Sequence, residues 1–461
     1  MAAPKQIRLN ALDQCTPSFL AFGLWGHPQD RALDYTQMSY WTDYAKLLER
    51  GLFDALFLAD ILGVPDTYQD GPDAAYRTGA LAPSLDPSVI ISAMAAVTRD
   101  LGFAITGSAS YEPPYLFARR MATLDHLTGG RMGWNIVTGF LNSGALAMGQ
   151  SGLAEHDSRY DAADEFMEIM YGLWDRSWVD GALVRDRERG LYADPSRIRV
   201  IDHQGAHHRI HAAGPTEPSP QRVPVLFQAG GSGRGRAFAA AHAEGIFVNG
   251  PKLETVASQI ADMRSGAVAL GRSAQALKFF AGVTIIVGET EALAQAKLAD
   301  YRRHASVEGM LAQLSAALGI DLARYPLDEP IRYEKTDAAQ SQLDMLTRKG
   351  SLTVRQAAES MILSGRNLLL VGTPAQVADT LTAWSQDGDV DGFNVSRVLS
   401  HETLESMVEL VIPELQARGL YKTAYAPGTL REKLGGQARL AADHPSQSPA
   451  GSNDAERAPG G

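Results

Sequence analysis

Eight short apolar or β-branched runs alternate with amphipathic helical stretches, and this alternation predicts an α/β protein built as a TIM (β/α)8 barrel. Two further observations agree. A chain of 461 residues can bury a large core, and one barrel with insertions accounts for that length without a second domain. Several runs also end in a small residue followed by a polar one, as expected where strand ends face a ligand. In order, the runs are IRLNAL (7–12), FDALFLA (53–59), GFAITGS (102–108), RMGWNIV (131–137), VPVLFQA (223–229), GIFVN (245–249), FFAGVTIIV (279–287) and DGFNVS (391–396). Between them, SYWTDYAKLLERG puts Tyr40, Tyr44, Leu47 and Leu48 on one helical face and stops at Gly51. The segment DPSVIISAMAAVTRDLG opens with Asp86 as N-cap and Pro87 at the first helical position.

The barrel is expected to occupy residues 1–436, with two interruptions. Residues 176–222 are rich in charge and close with GPTEPSPQRVP, which reads as a hairpin insertion. Residues 288–370 are mostly helical in pattern and too long for a βα connection, so they are expected to form a helical insertion and a candidate lid. From about Gln437 the chain is an Ala/Pro/Ser/Gly/Asp mixture without periodicity, and 437–461 is expected to be a disordered tail.

Composition narrows the function classes. The chain is 45% hydrophobic and 21% charged, and none of its apolar runs reaches the ~18 residues of a membrane span, so no membrane association is expected. The opening MAAPKQIRLNALDQ lacks a basic segment followed by an apolar block, which makes the cytoplasm the expected location. A single cysteine, Cys15, rules out an intrachain disulfide and a thiolate-based structural zinc site. A net charge of -11, with no basic stripe to offset it, argues against nucleic acid as a partner.

In a barrel, chemistry sits just beyond the C-terminal strand ends. The residues there are Asp60, Ser108, Thr138 with Gly139, Ser232 and Asn249. Helix caps and turns account for such residues equally well taken one at a time. The stretch PVLFQAGGSGRGRAF (224–238) is more specific: a buried strand, a glycine-rich turn and a helix. Its glycines do not match the G-x-G-x-x-G dinucleotide fingerprint, and there is no G-x-x-x-x-G-K-[ST] loop. What remains is a seat for a single phosphate, as in a mononucleotide such as FMN, or a turn without a ligand. The histidine-rich HQGAHHRIH (203–211) lacks an acid at metalloprotease spacing and reads as a hairpin around Gly205, so no metal site is expected. A serine hydrolase is disfavoured because no G-x-S-x-G elbow follows a strand.

Several segments together resemble one family. LFLAD, PPYLFARRMATLDHLTGGRMGWNIVTG, EHDSRYDAADEFMEIMYGLWD, PSPQRVPVLFQAGGSGRGRAFAAAHAE, YPLDEP, VGTPAQVADTL, DGFNV and VIPELQARGLY are similar to the bacterial luciferase-like superfamily, in its nitrilotriacetate, dibenzothiophene-sulfone, long-chain-alkane and dimethyl sulfide monooxygenase branch. The likeness runs from about residue 5 to 434, and the GRxxWNxVT and HDxRYDxADE segments make it specific. It implies a barrel that takes FMN reduced by a separate NAD(P)H:flavin reductase. Reduced FMN and O2 would give a flavin 4a-peroxide that delivers one oxygen atom to the substrate. By the same resemblance Ala59 and Asp60 should border the isoalloxazine, and Thr106 or Ser108 its pyrimidine side. Asn135, Val137 and Thr138 should line the ring and ribityl chain, while His156, Tyr160, Gly231 and Ser232 close on the phosphate. A homodimer or homotetramer is implied as well.

Three departures bear on the substrate. Gly139 stands where the family usually has a serine, and Gly26 in Trp25-Gly26-His27-Pro28 stands in place of an arginine. Near the expected reaction centre this chain has Ser18, Leu81 and Phe140 where alkane-oxidising relatives carry polar or histidine side chains, so a less polar pocket is expected. His27, Cys15 and Phe140 are the candidate groups on the catalytic face. The expected activity is oxygenation of a small or medium apolar substrate, with organosulfur compounds ahead of alkanes and amines. The alternatives are a deazaflavin-dependent oxidoreductase, a non-catalytic flavin-binding paralogue and a metal-dependent barrel hydrolase.

Overall fold

The structure, a computed structural model, describes residues 5–330 and 352–447. Every run predicted as a strand forms one. The first four are β1 (Arg8–Gln14), β2 (Ala55–Ala59), β3 (Gly102–Ser108) and β4 (Met132–Val137). Two hairpins follow, β5 (Leu183–Asp186) with β6 (Leu191–Ala193), and β7 (Ile201–Gln204) with β8 (Arg209–Ala212). The barrel resumes with β9 (Val225–Gln228), β10 (Gly245–Val248) and β11 (Lys278–Val287); β12 (Leu368–Gly372) is an addition, and β13 (Gly392–Ser396) completes the set. Pairing runs β1-β2-β3-β4-β9-β10-β11-β13 and returns to β1, all parallel, so eight strands close on themselves. Both faces of such strands are covered, which is why all seven residues of GFAITGS are buried and none alternates with solvent.

Aromatic side chains fill the barrel. Phe57 and Phe247 meet edge to face with ring centroids 4.5 Å apart, and Phe227 stacks on Phe247 at 5.6 Å. Space for Phe227 comes from two glycines: a Cβ on Gly133 would lie 2.7 Å from its ring, and one on Gly245 2.4 Å. Leu430 and Leu434, from the helix Leu430–Gly435, close the bottom. Toward the C-terminal strand ends the inward side chains become polar, with Asn135 Nδ2 donating to Thr106 Oγ1 at 3.0 Å. Outside, the helix Met38–Arg50 buries Tyr40, Tyr44, Leu47 and Leu48 and is capped by Gly51. The helix Pro87–Ala96 starts at Asp86, whose carboxylate accepts from Ser88 N at 2.8 Å.

The interruptions are richer than the sequence suggests. Segment 176–222 holds two hairpins. The histidine-rich one turns at Gly205 and is docked by Glu165, which lies 3.0 Å from His203 Nε2 and accepts from the amides of His207 and His208. Segment 288–370, expected to be helical, contains the helices Glu291–His304 and Val307–Leu318 and also strand β12. The ten-residue β11 runs past the barrel, and β12 pairs with its overhang from Val283↔Leu368 to Val287↔Gly372. The candidate lid falls in part on 331–351, outside the described residues. Within the segment read as a disordered tail, Leu440 and His444 are buried, and His444 Nε2 lies 3.1 Å from His242 O; one anchoring side chain is invisible to a compositional reading. Residues 448–461 of that tail lie outside the described residues. Among the described residues no helix is long and apolar enough to cross a membrane.

Candidate active site

A cavity of about 360 Å³ opens at the C-terminal ends of β2, β3, β4 and β9, within the size range of small-molecule sites. Asp60, Thr106, Ser108, Val137, Thr138, Phe140 and Tyr160 all line it. Ala59 is the last residue of β2, immediately before Asp60. Asn135 sits one layer down, buried against Thr106, and its Oδ1 has no hydrogen-bond partner.

Next to Tyr160, Gln228 and Gly230, which line one end of the cavity, two helix N-termini converge; their residues Ser232 and His156, and Gly231 beside them, adjoin the lining without being part of it. Ser232 caps the helix Gly233–His242, its Oγ accepting from Gly235 N at 3.0 Å, and lies 3.2 Å from His156 Nε2. His156 opens the second helix, His156–Tyr171. Tyr160 is one turn further along, with its hydroxyl 3.5 Å from Gln228 Nε2. Burial pushes the Tyr160 phenol above its usual range, so it remains a donor at neutral pH. The Arg234 guanidinium lies 5.6 Å from the Tyr160 ring centroid while pairing with Asp161 and Asp164. Gly231 is exposed on the turn between Gln228 and Ser232. Backbone N–H groups and positive helix ends at this place suit an anion.

The other side is acidic. Burial first, then the neighbouring Asp86 and Glu112, pushes the Asp60 carboxyl up to about 6, against the opposing hydrogen bond from Ile61 N at 2.9 Å. Glu112 is paired with Arg120 at 2.6 Å. Tyr111 also lines the cavity, with a buried hydroxyl that has no partner. Its ring explains Gly139: φ is +73° there, and a Cβ would come within 2.9 Å of the Tyr111 ring, so a serine at this position would be strained and crowded.

Two candidate catalytic residues are not on the cavity wall, although Cys15 lies just behind it, its carbonyl accepting from the amide of the lining residue Leu85. Cys15 is 1% exposed within the main hydrophobic core, and burial pushes its thiol well above the usual range, which leaves no thiolate. His27 is buried 2.9 Å from Asp300, with His304 packed against its ring at 4.6 Å, in a cluster on the helix Glu291–His304 and not on the cavity wall. Ser18 and Leu81 are also off that wall: Leu81 N donates to Ser18 O, and Leu81 packs with Phe19, Phe22 and Met310. A one-dimensional reading ranks residues by nearness to strand ends and does not show which of them face the cavity. Sequence reasoning missed Gln228, Tyr111, Glu112 and Arg120. Gln228 had a legible signal, an amide closing the otherwise apolar VLFQ; the Glu112–Arg120 pair, joined across a loop, had none.

Closed parallel barrels place catalysis at this mouth, so the arrangement first defines a class: a barrel enzyme whose chemistry lies beyond the strand C-termini. The chain belongs to the luciferase-like monooxygenase family, whose profile matches residues 18–391, and it is a flavin-dependent monooxygenase. It is 44% identical to the long-chain alkane monooxygenase of Geobacillus thermodenitrificans (strain NG80-2), over 95% of this chain and 97% of that one. To the dimethyl-sulfide monooxygenase of Hyphomicrobium sulfonivorans it is 42% identical, over 96% and 93%. Among solved structures, a riboflavin lyase with modified FMN and substrate riboflavin superposes with a TM-score of 0.91 at 36% identity, covering 96% of this chain and 99% of that one.

Proposed function

We propose that this chain is the oxygenating component of a two-component system. It takes up FMN in reduced form from a separate NAD(P)H:flavin reductase, uses O2, and inserts one oxygen atom into a small or medium, largely apolar substrate, with organosulfur compounds preferred. The residues present fit FMN, and the carrying observation is Asn135: a buried amide oxygen left without a donor, beside a cavity whose wall at Tyr160 and Gly230 adjoins two helix N-termini.

In this reading Ser232, His156, Tyr160 and the amide of Gly231 hold the phosphate. Val137 and Thr138 flank the ribityl chain, and Ala59, Asp60, Thr106, Ser108 and Asn135 border the ring. When bound, the reduced flavin supplies the electrons that activate O2. The protein contributes position and exclusion of water. Asn135 Oδ1 would be free to accept from the ring and the Tyr160 hydroxyl would be free to donate to the phosphate, while Phe140 with Ile105 and Ile136 keeps part of the cavity wall apolar. Asp60, with a carboxyl titrating at about 6, can hold or release a proton at Oδ near neutral pH. The carboxylates of Asp60 and Asp86 disfavour polyanionic substrates, while Glu112 is neutralised by Arg120. A homodimer or homotetramer working in the cytoplasm belongs to the same reading, and light scattering checks the assembly.

Kinetics with purified components test the proposal. Mixed with FMN and NADH alone, the chain should leave NADH untouched; added flavin reductase should start consumption coupled to an oxygenated product from a panel of thioethers, sulfones, alkanes and amines. Oxidation of NADH at enzymatic rates by the isolated chain would overturn the two-component assignment.

A further inference from the structure

The barrel has a second cavity, of about 490 Å³, at its opposite mouth, where β9, β10 and β11 begin. Four cationic side chains, Arg272, Lys278, Arg431 and Arg439, line it against two carboxylates, Glu244 and Asp443. Both carboxylates are already engaged. Glu244 bridges Arg431 at 2.7 and 3.0 Å and accepts from Leu226 N, and Asp443 Oδ2 accepts from Ser273 N at 2.7 Å.

Arg431 is matched by Glu244, and Arg439 pairs with Asp180 at 2.8 Å; the other two cations are less well served. Arg272 is 4% exposed; its two terminal nitrogens donate to the carbonyls of Ala240 and Ala243, and its Nε has no partner. Lys278 opens β11 on the same strand face as Phe280, so alternation turns it toward the barrel axis. Among the described residues its ammonium has no hydrogen-bond or ion-pair partner, and burial lowers its pKa despite attraction from Asp391. Buried His444 adds no charge at neutral pH, because burial first and then Arg272 hold it down to about 4. Two incompletely matched cations, Lys278 and Arg272, in a partly buried volume are costly unless an anion completes them. Arginine and lysine converging in this way suit a phosphoryl group, and the volume admits one of mononucleotide size.

We propose that this N-terminal mouth binds a phosphorylated small anion, at a site separate from the flavin cavity, with Lys278 and Arg272 as its recognition pair. The class covers inorganic pyrophosphate and mononucleotides such as AMP, and the experiment separates the two. Isothermal titration of the flavin-free full chain at low ionic strength uses each probe in turn, with NaCl at matched ionic strength as reference. Saturable binding is expected, weakened at least about tenfold in Lys278→Met and retained in Lys278→Arg. Ser232→Ala, which alters the phosphate seat at the opposite mouth, should leave it unchanged. Tighter binding of AMP than of pyrophosphate identifies a nucleotide, and the reverse order a simple phosphate anion. If Lys278→Met does not fold by circular dichroism, Arg439→Gln takes its place, with a loss of at least about threefold expected. The proposal is overturned if neither probe binds above the NaCl reference, if the folded Lys278 or Arg439 variant binds like the parent, or if binding is lost in Ser232→Ala alone.

Discussion

The two mouths of the barrel satisfy their polar groups to different degrees. At the C-terminal mouth Asn135 Oδ1 and the Tyr111 hydroxyl have no partner, and Tyr160 reaches Gln228 only at 3.5 Å. Across the barrel, Arg431 is 3% exposed and donates to the carbonyls of Gln221, Val223 and Pro224 as well as to both Glu244 oxygens. Buried polar groups that are saturated hold a fold together; those left with spare valence are available to a ligand. The difference thus separates architecture from chemistry within one set of strands, and it marks Lys278 and Arg272 as exceptions at the saturated end.

The largest expected effect tests that division directly. Arg431→Met leaves Glu244 buried without its cation and three carbonyls without a donor, which should cost about 3–5 kcal/mol of stability. Chemical denaturation measures the loss, and flavin affinity of the remaining folded protein should be unchanged. A variant as stable as the parent would break the comparison.

Next come the phosphate donors. Tyr160→Phe and Ser232→Ala each remove a hydrogen bond to a charged group, worth about 1.5–3 kcal/mol, so FMN affinity should fall about tenfold to a hundredfold. Ser232→Ala should also cost about 1 kcal/mol of stability because the hydroxyl caps a helix. Flavin titrations unchanged in both folded variants would remove the phosphate from this end of the cavity.

What could be read without coordinates follows the same division. All eight barrel strands were legible, because burial on both faces demands continuous apolar runs. Strand-end residues such as Asp60, Ser108 and Thr138 were legible for a topological reason. His27 and Cys15 do not reach the cavity wall, since leaving a strand end says nothing about which way the chain then turns. Asp300, the partner of His27, is distant in sequence, whereas Leu85, which donates to the Cys15 carbonyl, lines the cavity. The cationic mouth was hidden for a related reason: Arg272, Lys278 and Arg431 come from three segments and look like ordinary surface charges one at a time.

A smaller effect concerns Asp60. Its folded carboxyl is pushed up to about 6 from the ordinary aspartate value of 3.8, so between those values the folded state holds the extra proton. Stability from this group is fully present below 3.8 and is lost as pH rises through about 6. Asp60→Asn should therefore be more stable than the parent by about 1–2 kcal/mol at pH 8, an advantage that shrinks as pH falls from 6 toward 4. Thermal denaturation across that range reads the difference, and a pH-independent gap would exclude Asp60 as the titrating group.

The smallest effect on the folded protein, and the sharpest on function, is expected at Phe140. It is 40% exposed and lies three residues beyond Val137, the end of β4, where it forms part of the cavity wall. Phe140→His should change stability by no more than about 0.5 kcal/mol, because little packing is lost. It makes none of the phosphate-end contacts, so FMN affinity should stay within about threefold of the parent. The change should instead appear in the ratio of oxygenated product to hydrogen peroxide and in the ranking of thioethers against more polar compounds, since an imidazole brings water and a proton donor to an apolar wall. Asp60 and Asp86 on the cavity wall predict in addition that aminopolycarboxylate chelates are poor substrates for parent and variant alike. If Phe140→His altered flavin affinity alone, or if a polyanionic chelate proved the best substrate of the panel, the apolar wall would have to be given up while the phosphate end of the cavity stood.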